Sequence, residues 1–228
     1  MGDVRDRAFS IEEALRFGWT TTKANLKPLL LLGLVGAVLG LLNQALAGPG
    51  PNDGLRALML LFVQVLQAAL MMVWIRTALA LQDGKKLEWA RPPSLVGDFL
   101  TFLLTWVLYG LVVGVGLLLL IVPGIIWGLK FGFSTFLVVD KKLDPIEAFR
   151  ESSRLTLGVK GQLLEFALLL LGVNILGAIA LGVGLFVTIP TTFIAAAHVF
   201  RRLQARAVQR VQPAPQVPLG TPRPTGAA

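Results

Sequence analysis

Polar side chains inside long apolar stretches are the residues of this chain that could do chemistry. Lys130 lies about 9 Å beyond Gly124, and Gln64 and Asn174 lie about 10–14 Å from the same membrane face, at 1.5 Å per helical residue. One lysine and two amides at similar depth predict a site for an anion or a lipid headgroup. The alternative, favoured by the shortness of the surrounding stretch, is that the Lys130 ammonium reaches the outer headgroups along its four-carbon stem.

A second polar layer is predicted near the opposite, cytoplasmic face of the membrane. Four ionisable residues lie within about two helical turns of that boundary: Arg76, Asp98, Glu165 and His198. Arg76 and Glu165 could form an ion pair, with Asp98 as a competing partner. One interpretation is a proton- or ion-linked gate. The favoured interpretation is that ion pairs hold the helix ends in register, since helix ends tolerate charge better than the bilayer centre does.

Catalysis, metal binding and nucleic-acid binding are not indicated by the remaining residues. The chain has no cysteine and one histidine, which excludes thiolate chemistry and a site of several histidines within one chain. Glu147 and Glu151 share a helix face, but Arg150 and Arg154 lie between them on a solvated surface. Basic and aromatic residues do not alternate as a nucleic-acid surface would require. The sequence therefore predicts a protein without enzymatic activity, metal or cofactor.

The basic residues indicate how these polar groups are positioned in a membrane. Of the 21 lysines and arginines, 18 fall in four segments: 1–27, 82–94, 140–161 and 201–228. Two apolar stretches separate each segment from the next, and Arg56 is alone in a connection on the other side. Basic connections are retained in the cytoplasm during membrane insertion. The pattern predicts six crossings of the cell membrane with both termini in the cytoplasm.

The composition indicates an all-α, polytopic membrane protein. Hydrophobic residues make up 55% of the chain and charged residues 15%, whereas soluble domains carry about a quarter charged residues. We expect a transmembrane domain at residues 28–206, since a helix needs about 20 apolar residues to cross the hydrocarbon core. The six predicted transmembrane helices are residues 28–47, 55–81, 95–118, 125–139, 162–181 and 185–203.

An amphipathic interfacial helix is predicted within the cytoplasmic N-terminal segment 1–27. It covers residues 9–24, and Ser10 with Glu13 three residues later forms a capping box. Its apolar face, at helical spacing, comprises Ile11, Ala14, Leu15, Gly18 and Trp19. Such a helix would lie in the headgroup layer with Trp19 at the interface. No cleavable signal peptide is expected in this segment.

A second interfacial helix is predicted at residues 144–158, between the fourth and fifth crossings. Asp144 is a suitable N-cap, Pro145 suits the first helical position, and Gly158 is a suitable stop. Residues 212–228 are rich in proline and alanine without periodicity, which predicts a disordered cytoplasmic tail.

A series of short motifs in the second half of the chain resembles a known bacterial family. The motifs are Val122–Trp127, Phe133–Thr135, Val138–Asp140, Asp144–Ser152, Leu155–Gly158, Gly182–Leu185 and Val187–Pro190. Their order and spacing resemble the six-helix integral-membrane family that includes the YciC-type proteins. The same family forms the membrane domain of membrane-anchored glycerophosphoryl diester phosphodiesterases. The resemblance covers about residues 8–205.

The resemblance implies a six-helix membrane domain rather than a reaction. In the fused relatives the phosphodiesterase activity resides in a separate soluble catalytic barrel, which this chain lacks, so that activity is not carried over. The resemblance supplies no catalytic residues for the membrane part. We therefore expect a non-enzymatic inner-membrane protein that interacts with lipids or serves as a scaffold, possible partners being membrane lipids, a second copy or another membrane protein. The alternative is a transporter or lipid-translocating protein with its site around Lys130.

Overall fold

The structure, a computed structural model, describes residues 8–48, 53–85, 95–180 and 182–211. Throughout these ranges the regular secondary structure is α-helical. Residues 86–94 of the predicted cytoplasmic segment 82–94 and the predicted disordered tail at 212–228 lie outside the described residues. The helices are α1 (Ile11–Ala24), α2 (Leu26–Ala47), α3 (Asp53–Gln82), α4 (Leu95–Leu119), α5 (Ile121–Phe131), α6 (Ser134–Lys141), α7 (Pro145–Leu155), α8 (Lys160–Ile179) and α9 (Leu185–Val211).

Five helical segments in the described residues are long and apolar enough to cross a membrane. They are Leu26–Ala47, Gly54–Gln82, Gly97–Leu119, Ile121–Lys141 and Lys160–Ile179. This confirms the predicted all-α, polytopic fold, but the count is five where six crossings were predicted. The sixth predicted crossing lies in α9, whose composition is less apolar. Its apolar part is interrupted by Pro190 and neighbouring threonines, and the helix continues past Arg201 into a polar segment.

The helices α1 and α7 begin at the caps that the sequence predicts. The Ser10 hydroxyl accepts a hydrogen bond from the Glu13 backbone N–H at 3.2 Å. One Asp144 carboxylate oxygen accepts from two backbone N–H groups at 2.9 and 3.0 Å, and Pro145 is the first residue of α7. Gly158 has a φ of +75°, a left-handed conformation that favours glycine. Local side-chain chemistry therefore sets where both helices start and where the chain turns after α7.

The apolar face of α1 packs against α9 inside the protein. Its buried residues are Ile11, Ala14, Gly18 and Thr22, whereas Trp19 is 46% exposed. The two helices run antiparallel and very close, since a Cβ on Gly18 would lie 2.6 Å from the Thr191 carbonyl oxygen. Ile11, Ala14 and Gly18 of the predicted apolar face are therefore turned toward α9, whereas Trp19 lies outside this contact, and the position of the helix in the headgroup layer stays a prediction. Small side chains let α1 approach α9, and this contact turns the bulky indole outward.

The helices α4 and α5 form a hairpin that turns at a single extended residue, Leu120. This turn lies within residues 119–124, which separate the third and fourth predicted crossings. The two helices touch just below the turn, where a Cβ on Gly116 would lie 2.8 Å from the Cα of Gly124. Side chains at the tip are apolar and exposed, with Leu118 at 89%. An apolar tip of this kind suits the hydrocarbon of a membrane better than water.

The predicted fourth crossing, residues 125–139, is instead a longer segment broken into α5 and α6 after Phe131. Hydroxyl groups of α7 hold the break. The Ser152 hydroxyl donates to the Lys130 carbonyl oxygen at 2.9 Å and accepts from the Phe133 N–H at 3.3 Å. The Thr156 hydroxyl also approaches the Lys130 carbonyl, at 3.3 Å. These bonds satisfy backbone groups that an unbroken helix would pair internally.

The central helix is α9, which contacts α1, α2, α3, α7 and α8. Its first residues adjoin Gly33 of α2 and Gly177 of α8; we call this region the apolar end. Its residues from His198 to Gln204 adjoin polar side chains from α1, α6 and the end of α3; we call this region the charged end. Exposed apolar residues of the apolar end include Leu31, Leu34, Leu41, Leu58, Phe62, Leu176 and Ile179.

Candidate functional site

Arg201 joins two other elements to α9 at the charged end. Its guanidinium donates to both carboxylate oxygens of Asp83, just after α3, at 2.9 and 2.8 Å. It also donates to both oxygens of Asp140 in α6, at 2.7 and 2.8 Å. Gln204, one turn further along α9, donates to Asp140 at 3.2 Å. Two bidentate pairs on one planar guanidinium fix the relative positions of α3, α6 and α9.

The electrostatics of this cluster keep Arg201 charged. Arg201 lies at the polar end of α9, outside the five candidate spans. Burial lowers the pKa of its guanidinium, but the hydrogen bonds and charges of Asp140 and Asp83 outweigh burial and raise the pKa above its ordinary value. The cluster thus has a permanent cation between two carboxylates, which suits a structural clamp rather than a group that exchanges protons.

A second polar cluster ties α1 to α9. Glu13 forms an ion pair with Arg202, and its carboxylate lies 3.7 Å from the His198 ring. The other His198 nitrogen lies 3.2 Å from the Gln82 side-chain oxygen at the end of α3. The His198 ring is buried and lies 5.1 Å from the Phe17 ring, between centroids. His198 therefore occupies a packed junction of three helices.

Two residues of the predicted inner charge layer form an ion pair. Arg76 pairs with Asp98 at 3.9 Å, and Asp98 is the partner that the sequence offered as the competitor. Asp98 also pairs with Lys142 at 3.2 Å, which joins the start of α4 to the end of α6. Glu165 lies exposed on α8. These two ion pairs connect α3, α4 and α6 near their ends, and both the gate and the register interpretations stay predictions.

A basic cleft opens beside the Arg201 clamp. It has a volume of about 720 Å³ and lies between α7, the end of α6 and the last turns of α9. Its polar lining comprises Lys141, Glu151, Arg154, Arg201, Gln204 and Arg210. Arg154 is 3.7 Å from Glu151, and Arg201 is held by its aspartates. Among the described residues, no ion pair includes Lys141 or Arg210, so the cleft presents two cations that are not ion-paired.

Of the predicted mid-membrane cluster, the structure joins no two members by a hydrogen bond within the described residues. The Lys130 ammonium lies 4.9 Å from the centroid of the Phe131 ring, a cation–π contact within α5. Gln64 is exposed on α3. The Asn174 side-chain nitrogen donates to the Leu170 carbonyl of its own helix at 3.0 Å. A shared site for these three residues stays a prediction.

Sequence reasoning missed the residues that organise the charged end. The sequence indicated Arg201 only as part of the basic segment 201–228 and Asp140 only as part of a family motif, and it gave Asp83 no role. A signal was available, because each aspartate follows an apolar helix at the predicted cytoplasmic boundary, where basic residues also gather. The sequence pattern does not show which carboxylate pairs with which cation. In the folded chain Arg201 reaches Asp83 across 118 residues and Asp140 across 61.

The search for metal ligands and for related proteins gives two further findings. Among the described residues, no group of three or more histidine, cysteine, aspartate or glutamate side chains is placed to hold a metal ion. The chain matches no family model, no curated protein and no solved structure. The class that the fold defines is thus an all-α, multi-pass membrane protein with a charged end and a basic cleft. The family resemblance of the sequence stays a prediction.

Proposed function

We propose that this chain is a non-enzymatic, lipid-interacting scaffold of the inner membrane. The observation that carries the proposal is the charged end, where Arg201, Arg202 and their carboxylate partners join α1, α3 and α6 to α9. Charges used in this way hold a rigid platform. Lys141 and Arg210 of the basic cleft, which are not ion-paired among the described residues, lie on that platform, where they can meet anionic lipid or a partner protein.

The charged end faces the cytoplasm in this proposal, with both termini on that side. Basic residues concentrate there, including Lys85, Lys142 and the arginines of α9. The positive-inside rule supports this orientation, since such charges are retained on the cytoplasmic side during insertion. The exposed leucines of α2, α3 and α8 would then contact lipid tails.

Translocation is the second candidate function, and unpaired polar atoms favour it. The side-chain oxygen of Asn174 on α8 and the hydroxyl of Thr188 on α9 are buried without a hydrogen-bond partner. Unpaired polar atoms within apolar helices are costly and can mark the path of a polar substrate. Lys130 would attract an anion to such a path. The scaffold is favoured because the described contacts do not connect Lys130 with either atom.

Reconstitution in proteoliposomes distinguishes the two functions. Wild type, Lys130→Met and the matched control Lys160→Met would be assayed for anion flux and for scrambling of a fluorescent phospholipid. We expect rates equal to those of empty liposomes for all three proteins. Flux or scrambling by wild type that Lys130→Met abolishes and Lys160→Met retains would overturn the scaffold in favour of translocation. Intrinsic tryptophan fluorescence on heating would verify that all three are equally folded.

A further inference from the structure

We propose that the basic cleft binds an anionic phosphate group of the kind that lipid headgroups carry and that free phosphate shares. This deepens the proposed lipid-interacting function and rests on it for the source of the ligand. The cations that carry the inference are Lys141 on α6, Arg154 on α7 and Arg210 on α9. They approach one cavity of about 720 Å³ from three helices.

The cations differ in what already neutralises them. Lys141 and Arg210 have no ion-pair partner among the described residues. Arg154 is 3.7 Å from Glu151, but 70% of its side chain is exposed, so solvent screens that pair. Arg201 is different, because the hydrogen bonds that its guanidinium donates go to Asp83, Asp140 and Gln204. We therefore assign binding of the phosphate group to Lys141, Arg154 and Arg210. Arg201 instead holds the wall of the basic cleft in position.

The Arg210 guanidinium lies beside the turn that follows α7. Gly158 lies in the turn after α7, and a Cβ there would come within 3.9 Å of the Arg210 guanidinium nitrogen. Guanidinium groups bind phosphate through two parallel N–H donors, and a lysine adds a point charge. Three such groups around one cavity form an arrangement suited to the several oxygens of a phosphate.

The apolar residues around the cleft indicate a ligand that also has hydrocarbon. Val208 lines the cleft and is 58% exposed. Leu155, Ala205 and Ala207 line the cleft as well. Apolar side chains beside cationic ones are typical of surfaces that lie at the boundary between headgroups and acyl chains. This combination favours a lipid headgroup over free phosphate.

Glu151 provides a second test of the inference, because its carboxylate lines the same cavity and would repel an anion. Removal of this charge by Glu151→Gln should release Arg154 and strengthen binding. Removal of the two cations that are not ion-paired, by Lys141→Gln with Arg210→Gln, should weaken it. A diffuse attraction between a basic protein and an anionic membrane would respond equally to any lost cation. The charge-matched control is therefore Arg16→Gln with Lys27→Gln, two exposed cations of α1 and α2.

The test uses the full chain in nanodiscs of phosphatidylcholine alone or mixed with phosphatidylglycerol. After extraction into detergent, native mass spectrometry measures the phosphatidylglycerol retained by each variant, with and without added inorganic phosphate. We expect Lys141→Gln/Arg210→Gln to lower affinity for phosphatidylglycerol about tenfold or more, from the strength of charged hydrogen bonds. The Arg16→Gln/Lys27→Gln control should match wild type, and Glu151→Gln should retain more lipid.

The outcomes separate the source of the ligand from the site itself. Displacement of phosphatidylglycerol by inorganic phosphate would identify a general phosphate site, and resistance to displacement would identify a headgroup site. Equal retention by wild type and Lys141→Gln/Arg210→Gln would overturn the inference, as would equal loss in the control. If the double variant does not fold, the gain expected for Glu151→Gln decides. Failure of the scaffold function would appear instead as flux in proteoliposomes, which this measurement does not involve.

Discussion

The charged end and the apolar end of the bundle are held together by different means. At the charged end, Arg201 bonds to two aspartates, and the ring of Phe200 packs within 6 Å of the rings of Phe133 and Phe136. At the apolar end, α8 and α9 meet through glycines, since a Cβ on Gly177 would lie 2.5 Å from the Thr188 hydroxyl oxygen. Side chains fill the contacts at the charged end. At the apolar end, glycines have no side chain, so the helix backbones can touch.

The difference follows from what each end can bury. In lipid, apolar side chains gain little by leaving the hydrocarbon, so helices associate through close backbone contact at small residues. Near water, burial of aromatic rings is favourable, and partly screened charges can pair across helices. We infer that the charged end contributes most of the specificity of the fold and that the apolar end mainly fits the bundle to the membrane.

Removal of the Arg201 charge should have the largest effect on stability. In Arg201→Met, Asp83 and Asp140 lose the cation that lies between them, and Asp83 keeps only its 3.7 Å pair with the exposed Lys85. A fully buried pair broken in this way costs about 3–5 kcal/mol. The Arg201 side chain is 26% exposed, so solvent reduces the expected loss to about 2–3 kcal/mol. The thermal midpoint in detergent measures the loss.

The neighbouring Arg202 is the matched control for Arg201. Its pair with Glu13 is half exposed on both sides, and exposed pairs contribute about 0–1 kcal/mol. We expect Arg202→Met to shift the midpoint much less than Arg201→Met does. Equal shifts for the two variants would show that the Arg201 clamp contributes no more than an exposed surface pair does.

An added methyl group at the α8–α9 contact should have the next largest effect. Gly177→Ala places a Cβ 2.5 Å from the Thr188 hydroxyl and 3.1 Å from the Gly184 backbone, so the helices must separate. Overpacking of this kind costs about 1–3 kcal/mol. Gly172→Ala in the same helix meets nothing within 4 Å and should be neutral or raise stability by up to about 1 kcal/mol, from helix propensity.

The outcome of this pair of variants decides how the apolar end is held. Chemical unfolding of both proteins in the same detergent micelles gives the comparison. Equal stability of Gly177→Ala and Gly172→Ala would contradict close glycine packing at the apolar end.

The sequence was sufficient for elements that depend on local chemistry. Apolar length predicted the helices that begin at Leu26 and Asp53, and the caps at Ser10 and Asp144 were predicted from neighbours within three residues. The break before Ser134 was not predicted, because the hydroxyl that accepts from Phe133 belongs to Ser152, 19 residues later. A hydropathy profile contains no information about a partner so far along the chain.

The predicted mid-membrane cluster shows a related limit of estimating membrane depth from the number of residues along a helix. Counting residues gives the height of Gln64 or Asn174 along a helix but not the direction in which its side chain points. Gln64 is exposed, and Asn174 bonds to its own helix. The sequence similarly placed charges near the charged end without pairing Arg201 to its aspartates, since that pairing depends on how α3, α6 and α9 rotate about their axes. The local pattern gives the height of a residue along its helix, whereas tertiary packing decides how the helix is rotated about its axis.

The smallest predicted effect concerns how firmly α1 belongs to the charged end. In Ser10→Ala the Glu13 N–H loses its acceptor, which should cost about 0.5–1 kcal/mol. Because α1 packs on α9 through Gly18 and Thr22, the remainder of the helix should stay in place and only its first turn should open. Hydrogen exchange would then be faster at residues 11–14 and unchanged in α9. Faster exchange along all of α1 would show that the cap, rather than the contact with α9, holds the helix.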